Sequence, residues 1–246
     1  MSFRREICVY CNSVSSTKTG DHLVPRALVA EAHRTTIPKV PCCKDCNNKK
    51  ARLENYLTSV LPFMSRQENA DAELKRAHPR LKNNLSLLRE LVAGAKRSTE
   101  PILPDGSTAC LPLKPEAILE YSNFLAVGLN FLKLGVRAKK SDCTASWFAS
   151  DHGDLFLYSY FIFGNHNFIF GTMGNNTVQY MGTSATDGSE LNIWRFTFLI
   201  GGCWADKAGC TGRSVWTLAG ATPIVSDWAS EWESHSFISN FGKLNS

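Results

Sequence analysis

Cys8-Val9-Tyr10-Cys11, then Gly20-Asp21-His22-Leu23-Val24-Pro25-Arg26, then Cys42-Cys43-Lys44-Asp45-Cys46-Asn47-Asn48-Lys49-Lys50: these three pieces of the first fifty residues decide how the chain is read. Two C-x-x-C knuckles with 31 residues between them offer four thiolates, the ligand set of a closed tetrahedral zinc site. Within the doubled Cys42-Cys43 only Cys43 keeps the two-residue gap to Cys46, so the expected zinc ligands are Cys8, Cys11, Cys43 and Cys46. A redox role would need a thioredoxin-like strand and helix around one knuckle, and neither pattern is there.

Ribbons, RING-like modules and simple staples all use four cysteines, so the residues between and just after the knuckles carry the functional reading. Hydrolysis of a phosphodiester needs a base for water, a cation to neutralise the transferring phosphate, and basic groups to hold the strand. His22 suits the base, because an ordinary imidazole is largely neutral at cellular pH. Asp21 offers a hard oxygen ligand and Asn47 a second through its amide carbonyl, which suits Mg²⁺ or Mn²⁺. Adjacent side chains of an extended segment point opposite ways, so Asp21 and His22 can face metal and water from different sides. Arg26, Lys49 and Lys50 are the expected substrate-binding residues. Asn48 competes with Asn47 for this second ligand position.

The order C-x-x-C, D-H-x-x-P, C-x-x-C-N-x-x-K over residues 6–55 resembles the HNH endonuclease family, whose ββα-metal core is commonly stiffened by such a zinc site. The resemblance implies His22 as general base, Asp21 and Asn47 as ligands of the catalytic cation, Lys50 as a phosphate contact and Pro25 as the shaper of the turn toward the second strand. One feature departs from the pattern. The family's middle Asn, which braces the loop carrying the base, would fall near Pro38-Lys39; His33 could supply a substitute bond, but it reads more readily as an exposed loop His.

The charge is uneven: residues 1–100 hold 18 Lys and Arg against 10 Asp and Glu, while the remainder holds 9 against 12. A basic half fits a polyanionic partner, although solvated helices rich in Lys would look the same. Composition turns helical from about 53 to 97, with a break at Pro62 and one apolar stripe expected from Leu81, Leu85, Leu88 and Val92. Residues 98–114 read as a linker. Pro115 opens a helix carrying Ile118, Tyr121, Leu125, Leu129, Leu132 and Val136. Beyond residue 145, LFLYSYFIF, NFIFGTM, TVQYMG and LNIWRFTFLIGG read as strands of an antiparallel meander, with turns at Gly164-Asn165, Gly174-Asn175-Asn176 and Asp187-Gly188. The closing stretch 227–241 is expected to cover the sheet. Trp147, Trp194, Trp204 and Trp216, with Cys110, Cys143, Cys203 and Cys210, read as packing residues, and His152, His166 and His235 as isolated.

The expected class is therefore α+β: a zinc-stapled ββα-metal module over 1–58, a helical connector and linker over 59–110, and a helix-plus-sheet domain over 111–246. The expected activity is metal-dependent endonuclease cleavage with structural Zn²⁺ and catalytic Mg²⁺ or Mn²⁺, acting on DNA in preference to RNA. A place as effector of a bacterial defence system, with the acidic second half as regulatory, partner-binding or homodimer surface, would suit that activity. The alternative is a non-catalytic zinc module that binds nucleic acid. No apolar run reaches bilayer length and MSFRREICVY lacks a signal-peptide core, so no membrane partner and a cytoplasmic location are expected.

Overall fold

The structure is a computed structural model describing residues 3, 6–14, 19–65, 70–95, 113–139, 142–149, 151–163, 168–187, 190–199, 204–205, 211–212, 214–221 and 239–243. An antiparallel ribbon of β1 (Thr19–His22) and β2 (Lys39–Cys42) leads into helix α1 (Lys44–Val60), giving the β-β-α order expected around the knuckles. The helix starts at Lys44, ahead of the stretch whose composition announces it. Cys43 explains the early start: it is extended and its sulfur accepts the Cys46 amide at 3.4 Å, satisfying one open N–H of the first turn. A short 3-10 turn at Leu61–Met64, with Pro62 inside it, ends the helix.

Two helices follow, α2 (Ala70–Asn83) and α3 (Leu85–Ala95). The continuous stripe expected of Leu81, Leu85, Leu88 and Val92 does not form, because the helix restarts at Asn84, whose Oδ1 accepts the Leu87 amide at 3.2 Å. The restart moves the buried face to Leu81, Leu87 and Leu91 and leaves Leu85 and Val92 exposed. Of the expected linker, only Leu113 and Lys114 are among the described residues. Helix α4 (Pro115–Leu129) opens on Pro115 as expected, runs into a π-helical turn (Asn130–Leu134) and stops at Gly135, whose φ of 69° is the left-handed conformation of a helix terminator.

The remaining elements are β3 (Asp142–Ala149), α5 (Asp151–Leu157), β4 (Ile169–Met173), β5 (Val178–Ser184), β6 (Asn192–Phe198), the short ribbon β7 (Trp204–Ala205) and β8 (Thr211–Gly212), β9 (Ser214–Ala221) and β10 (Ser239–Lys243). Six strands form one antiparallel sheet in the order β10-β3-β9-β6-β5-β4. Three of the four expected strands are present. The fourth, LFLYSYFIF, is instead the end of α5 and a π-helical turn (Tyr158–Phe163). An unbroken apolar run fits a helix as well as a strand. Here Asp154 settles it, by accepting from Arg195 Nε and Trp216 Nε1 at 2.7 Å each and tying α5 to β6 and β9. Trp147 of β3 and Trp216 of β9, which alternate with apolar residues in strand-like runs of the sequence, are register partners. From the closing stretch, Ser239–Phe241 pair with β3 at the sheet edge rather than covering the sheet, and 227–238 lie outside the described residues.

Trp194 and Phe196 of β6 and Val215 of β9 share a cluster with Ile118, Tyr121 and Leu125 of α4 and with Val9, Tyr10, Leu23, Val24 and Leu57 near the knuckles. One core thus joins the first sixty residues to α4 and the sheet. A second cluster holds Trp147, Trp216, Ile193 and Leu218 against Leu157 of α5. Buried Trp147, Trp194, Trp216 and Cys143 pack as expected. The side chains of Trp204, Cys110, Cys203, Cys210, His152, His166 and His235 lie outside the described residues. Among the described residues, no helix is long and apolar enough to cross a membrane.

Candidate metal centre and adjoining cleft

The first knuckle is a tight loop in which the Asn12 amide donates to Cys8 O and the Cys8 amide to Ser13 O, each at 3.0 Å. It is joined to β2 by the Val9 amide, which donates to Pro41 O at 3.0 Å. This brings Cys8 and Cys11 to the N-terminus of α1, where Cys43 and Cys46 sit. The four sulfurs lie within 4.8 Å of one another, and Cys11 Sγ is 3.7 Å from Cys43 Sγ. Zinc–sulfur bonds of about 2.3 Å in a tetrahedron put sulfurs about 3.8 Å apart, so the set fits zinc. Cys42 is not one of the four, and its thiol donates to Cys43 O at 3.2 Å. Hydrogen bonds with Cys42 and Cys46 hold the Cys8 thiol far below its ordinary pKa, and the same contacts push those two thiols up.

Where β1 and α1 face each other, a cleft of about 360 Å³ opens, lined among others by Asp21, His22, Arg26, Asn47, Glu54 and Arg80. Asp21, His22 and Asn47 thus come together across 26 residues of sequence, while Asn48 is exposed outside the cleft lining. Burial lowers the His22 pKa, and the charges of Lys39 and Arg26 lower it further, so the imidazole is neutral at neutral pH. Its loop is braced by three contacts that the sequence does not announce. Lys50 Nζ donates to His22 O at 2.7 Å, Tyr121 Oη to Leu23 O at 2.6 Å, and Arg34 Nε to Arg26 O at 3.0 Å and Val29 O at 3.1 Å. Arg34, not His33, takes the bracing place. Helix α4 packs so closely here that a Cβ on Gly128 would come within 2.2 Å of Leu23.

The three basic residues expected to grip substrate take different positions. Arg26 is exposed at the cleft. Lys49 is directed to α4, where it pairs with Glu120 at 3.4 Å. Lys50 departs from the expected phosphate contact: its side chain is 0% exposed, held between the carboxylates of Asp21, at 3.1 Å, and Glu54, with the Tyr121 ring centroid 5.5 Å away. Asp21 also accepts from Tyr10 Oη at 2.6 Å. An ammonium with all three protons donated inside the fold is a structural tie between β1 and α1.

Sequence reasoning missed Glu54 and Arg80. The signal for Glu54 was present, since Asn47, Ala51, Glu54, Asn55 and Thr58 follow helical spacing and line the cleft from one face of α1. Arg80 comes from α2 and carries no local signal. Burial raises the Glu54 pKa against the lowering pull of Lys50. Comparison of the chain with protein-family models, curated proteins and solved structures gives no match.

Proposed function

We propose that the cleft between β1 and α1 is the active site of an HNH-type endonuclease that hydrolyses phosphodiester bonds, with DNA as the preferred substrate. One observation carries the reading: a neutral His22, the oxygen donors of Asp21 and Asn47, and the guanidinium of Arg26 converge on a single solvent-open cleft beside a zinc-fit cysteine set. His22 takes the proton of the attacking water, a role that needs an unprotonated imidazole. Arg26 holds the phosphate in reach of that water. The donor set also suits a hard divalent cation: Asp21 and Glu54 carry two negative charges against one on Lys50, so the group retains net negative charge. Bound by Asp21 and Asn47, Mg²⁺ or Mn²⁺ would supply charge neutralisation at the phosphate and leaving oxygen.

The competing reading, a non-catalytic zinc module that binds nucleic acid, draws on the Lys50 ammonium already seated on Asp21. A plasmid-cleavage assay with Mg²⁺, Mn²⁺, Zn²⁺ or chelator separates the two. Removing the base in His22→Ala should lower cleavage about 10²–10⁴-fold while zinc content and folding persist. Cleavage by that variant at the wild-type rate, or no cleavage of DNA or RNA by the wild type with any of these ions, would overturn the proposal.

A further inference from the structure

Four guanidinium groups stand at or next to the cleft, two from the segment between β1 and β2 and two from α2. Arg26 and Arg80 line the cleft itself. Arg34 is fixed beside Arg26 through the backbone carbonyls of Arg26 and Val29, and Arg80 Nη1 donates to Thr58 O at 3.3 Å. Burial lowers the Arg80 pKa, and the charges of Arg76 and Arg34, each within electrostatic reach of Arg80, lower it further. Among the described residues none of the four is ion-paired with a carboxylate, whereas Lys49, Lys114, Arg137 and Arg195 each are. Arg76 also keeps a buried Nε with no hydrogen-bond partner.

Like charges held together without an ion-paired carboxylate raise the energy of the fold, and a buried unmade donor adds to that cost. Both are relieved by an anion that accepts several N–H bonds at once. Phosphate oxygens match the planar guanidinium fork in this way.

We infer that Arg76 and Arg80 of α2, with Arg26 and Arg34 opposite, form a phosphate-binding wall that holds the backbone of a nucleic-acid strand across the His22 cleft. Helix α2, which the sequence presents as a connector, is on this view part of the substrate site. The inference rests on the nuclease reading for its choice of a strand as ligand, but its residues are distinct from that reading's base and metal donors.

The test is fluorescence anisotropy of a fluorescein-labelled DNA duplex with the full chain, without added divalent cation, over a salt series. Arg76→Gln/Arg80→Gln should weaken binding at least tenfold at low salt. It should also flatten the slope of log K against log salt by about 1.8, since each lost duplex phosphate contact removes about 0.9. The charge-matched control Lys82→Gln/Arg89→Gln, at exposed positions outside the cleft lining, should change affinity less than twofold. Arg26→Gln, an exposed loop change, repeats the test from the opposite wall should the helix variant fail to fold, with far-UV circular dichroism and zinc content as checks. Equal binding by the arginine variants and the control would overturn the inference. So would Arg-dependent binding of inorganic phosphate alone, with no duplex bound. If the wild type binds the duplex through these arginines yet cleaves nothing, the wall stands and the hydrolytic reading falls. If cleavage needs His22 but its KM ignores the arginines, the wall falls and the hydrolytic reading stands.

Discussion

Replacing Lys50 by Met tests the structural heart of the cleft. The ammonium is fully buried and donates to Asp21, Glu54 and the His22 carbonyl, so its removal leaves two carboxylates facing each other and a carbonyl without its donor. Breaking a buried ion pair from one side costs about 3–5 kcal/mol, far above the 0–1 kcal/mol of an exposed pair. For a chain of 246 residues the unfolding entropy is about 0.5 kcal/mol/K, so the expected fall in Tm is about 6–10 °C. Circular dichroism melts of the zinc-loaded protein read this directly. The deficit should shrink in acid: burial already raises the Glu54 pKa, and without Lys50 it rises further. A carboxyl raised in the fold costs stability above its folded pKa, and that cost disappears as pH falls through it. Adding Asp21→Asn and Glu54→Gln to Lys50→Met removes the orphaned charges and should restore more than half of the loss. A Tm within about 2 °C of wild type for Lys50→Met alone would mean that the ammonium is hydrated, and the argument for a tie between β1 and α1 would fail.

Cys43→Ser should lose zinc in metal analysis after dialysis, whereas Cys42→Ser should keep one equivalent, because only the Cys43 sulfur belongs to the tetrahedral set; the reverse pattern would refute the ligand assignment. Burial pushes the Asp154 carboxyl up, but hydrogen bonds from Arg195, Ser214 and Trp216 together with the Arg195 charge outweigh it and hold the pKa below the ordinary value. That stability is present above the unfolded carboxyl pKa of about 3.9 and is lost as pH falls through the lower folded value. Asp154→Asn should therefore cost about 1.5–3 kcal/mol at pH ~7 in urea titration and show a flatter stability profile than wild type below pH ~4.

What could be read from the sequence is what local spacing encodes. The knuckle gap chose Cys43 over Cys42 and Pro115 marked the start of α4, while Asn47 lines the cleft and Asn48 does not. Helical spacing beyond Asn47 carried Glu54 as well, had the helix been extended back to Cys43. Other features depend on contacts distant in sequence. Lys50 looks like a surface lysine until Asp21, 29 residues earlier, and Tyr121 close around it. LFLYSYFIF looks like a strand until Arg195 and Trp216 capture Asp154. Arg80 has no local signature at all, since its place depends on how α2 folds back over α1.

These long-range contacts also explain why a metal staple and a helix of the second half serve the same cleft. The α1 wall starts at Lys44 just beyond β2, the strand that pairs with the β1 wall, and the zinc-fit sulfurs of Cys43 and Cys46 sit at that junction. A cation held there would fix the angle between ribbon and helix, and the Asn47 backbone amide donates to Cys43 O at 3.0 Å in the first turn beyond it. The staple cannot set the floor, because His22 and Leu23 lie at the far end of β1. That end is held by Lys50 from α1 and by Tyr121 from α4, the helix that packs against Leu23 at the bare backbone of Gly128. The strand that carries His22 thus has a zinc-fit cysteine set at one end and a buried polar network at the other. Losing the zinc should loosen Asn47 more than His22, and losing the Lys50 tie should do the opposite.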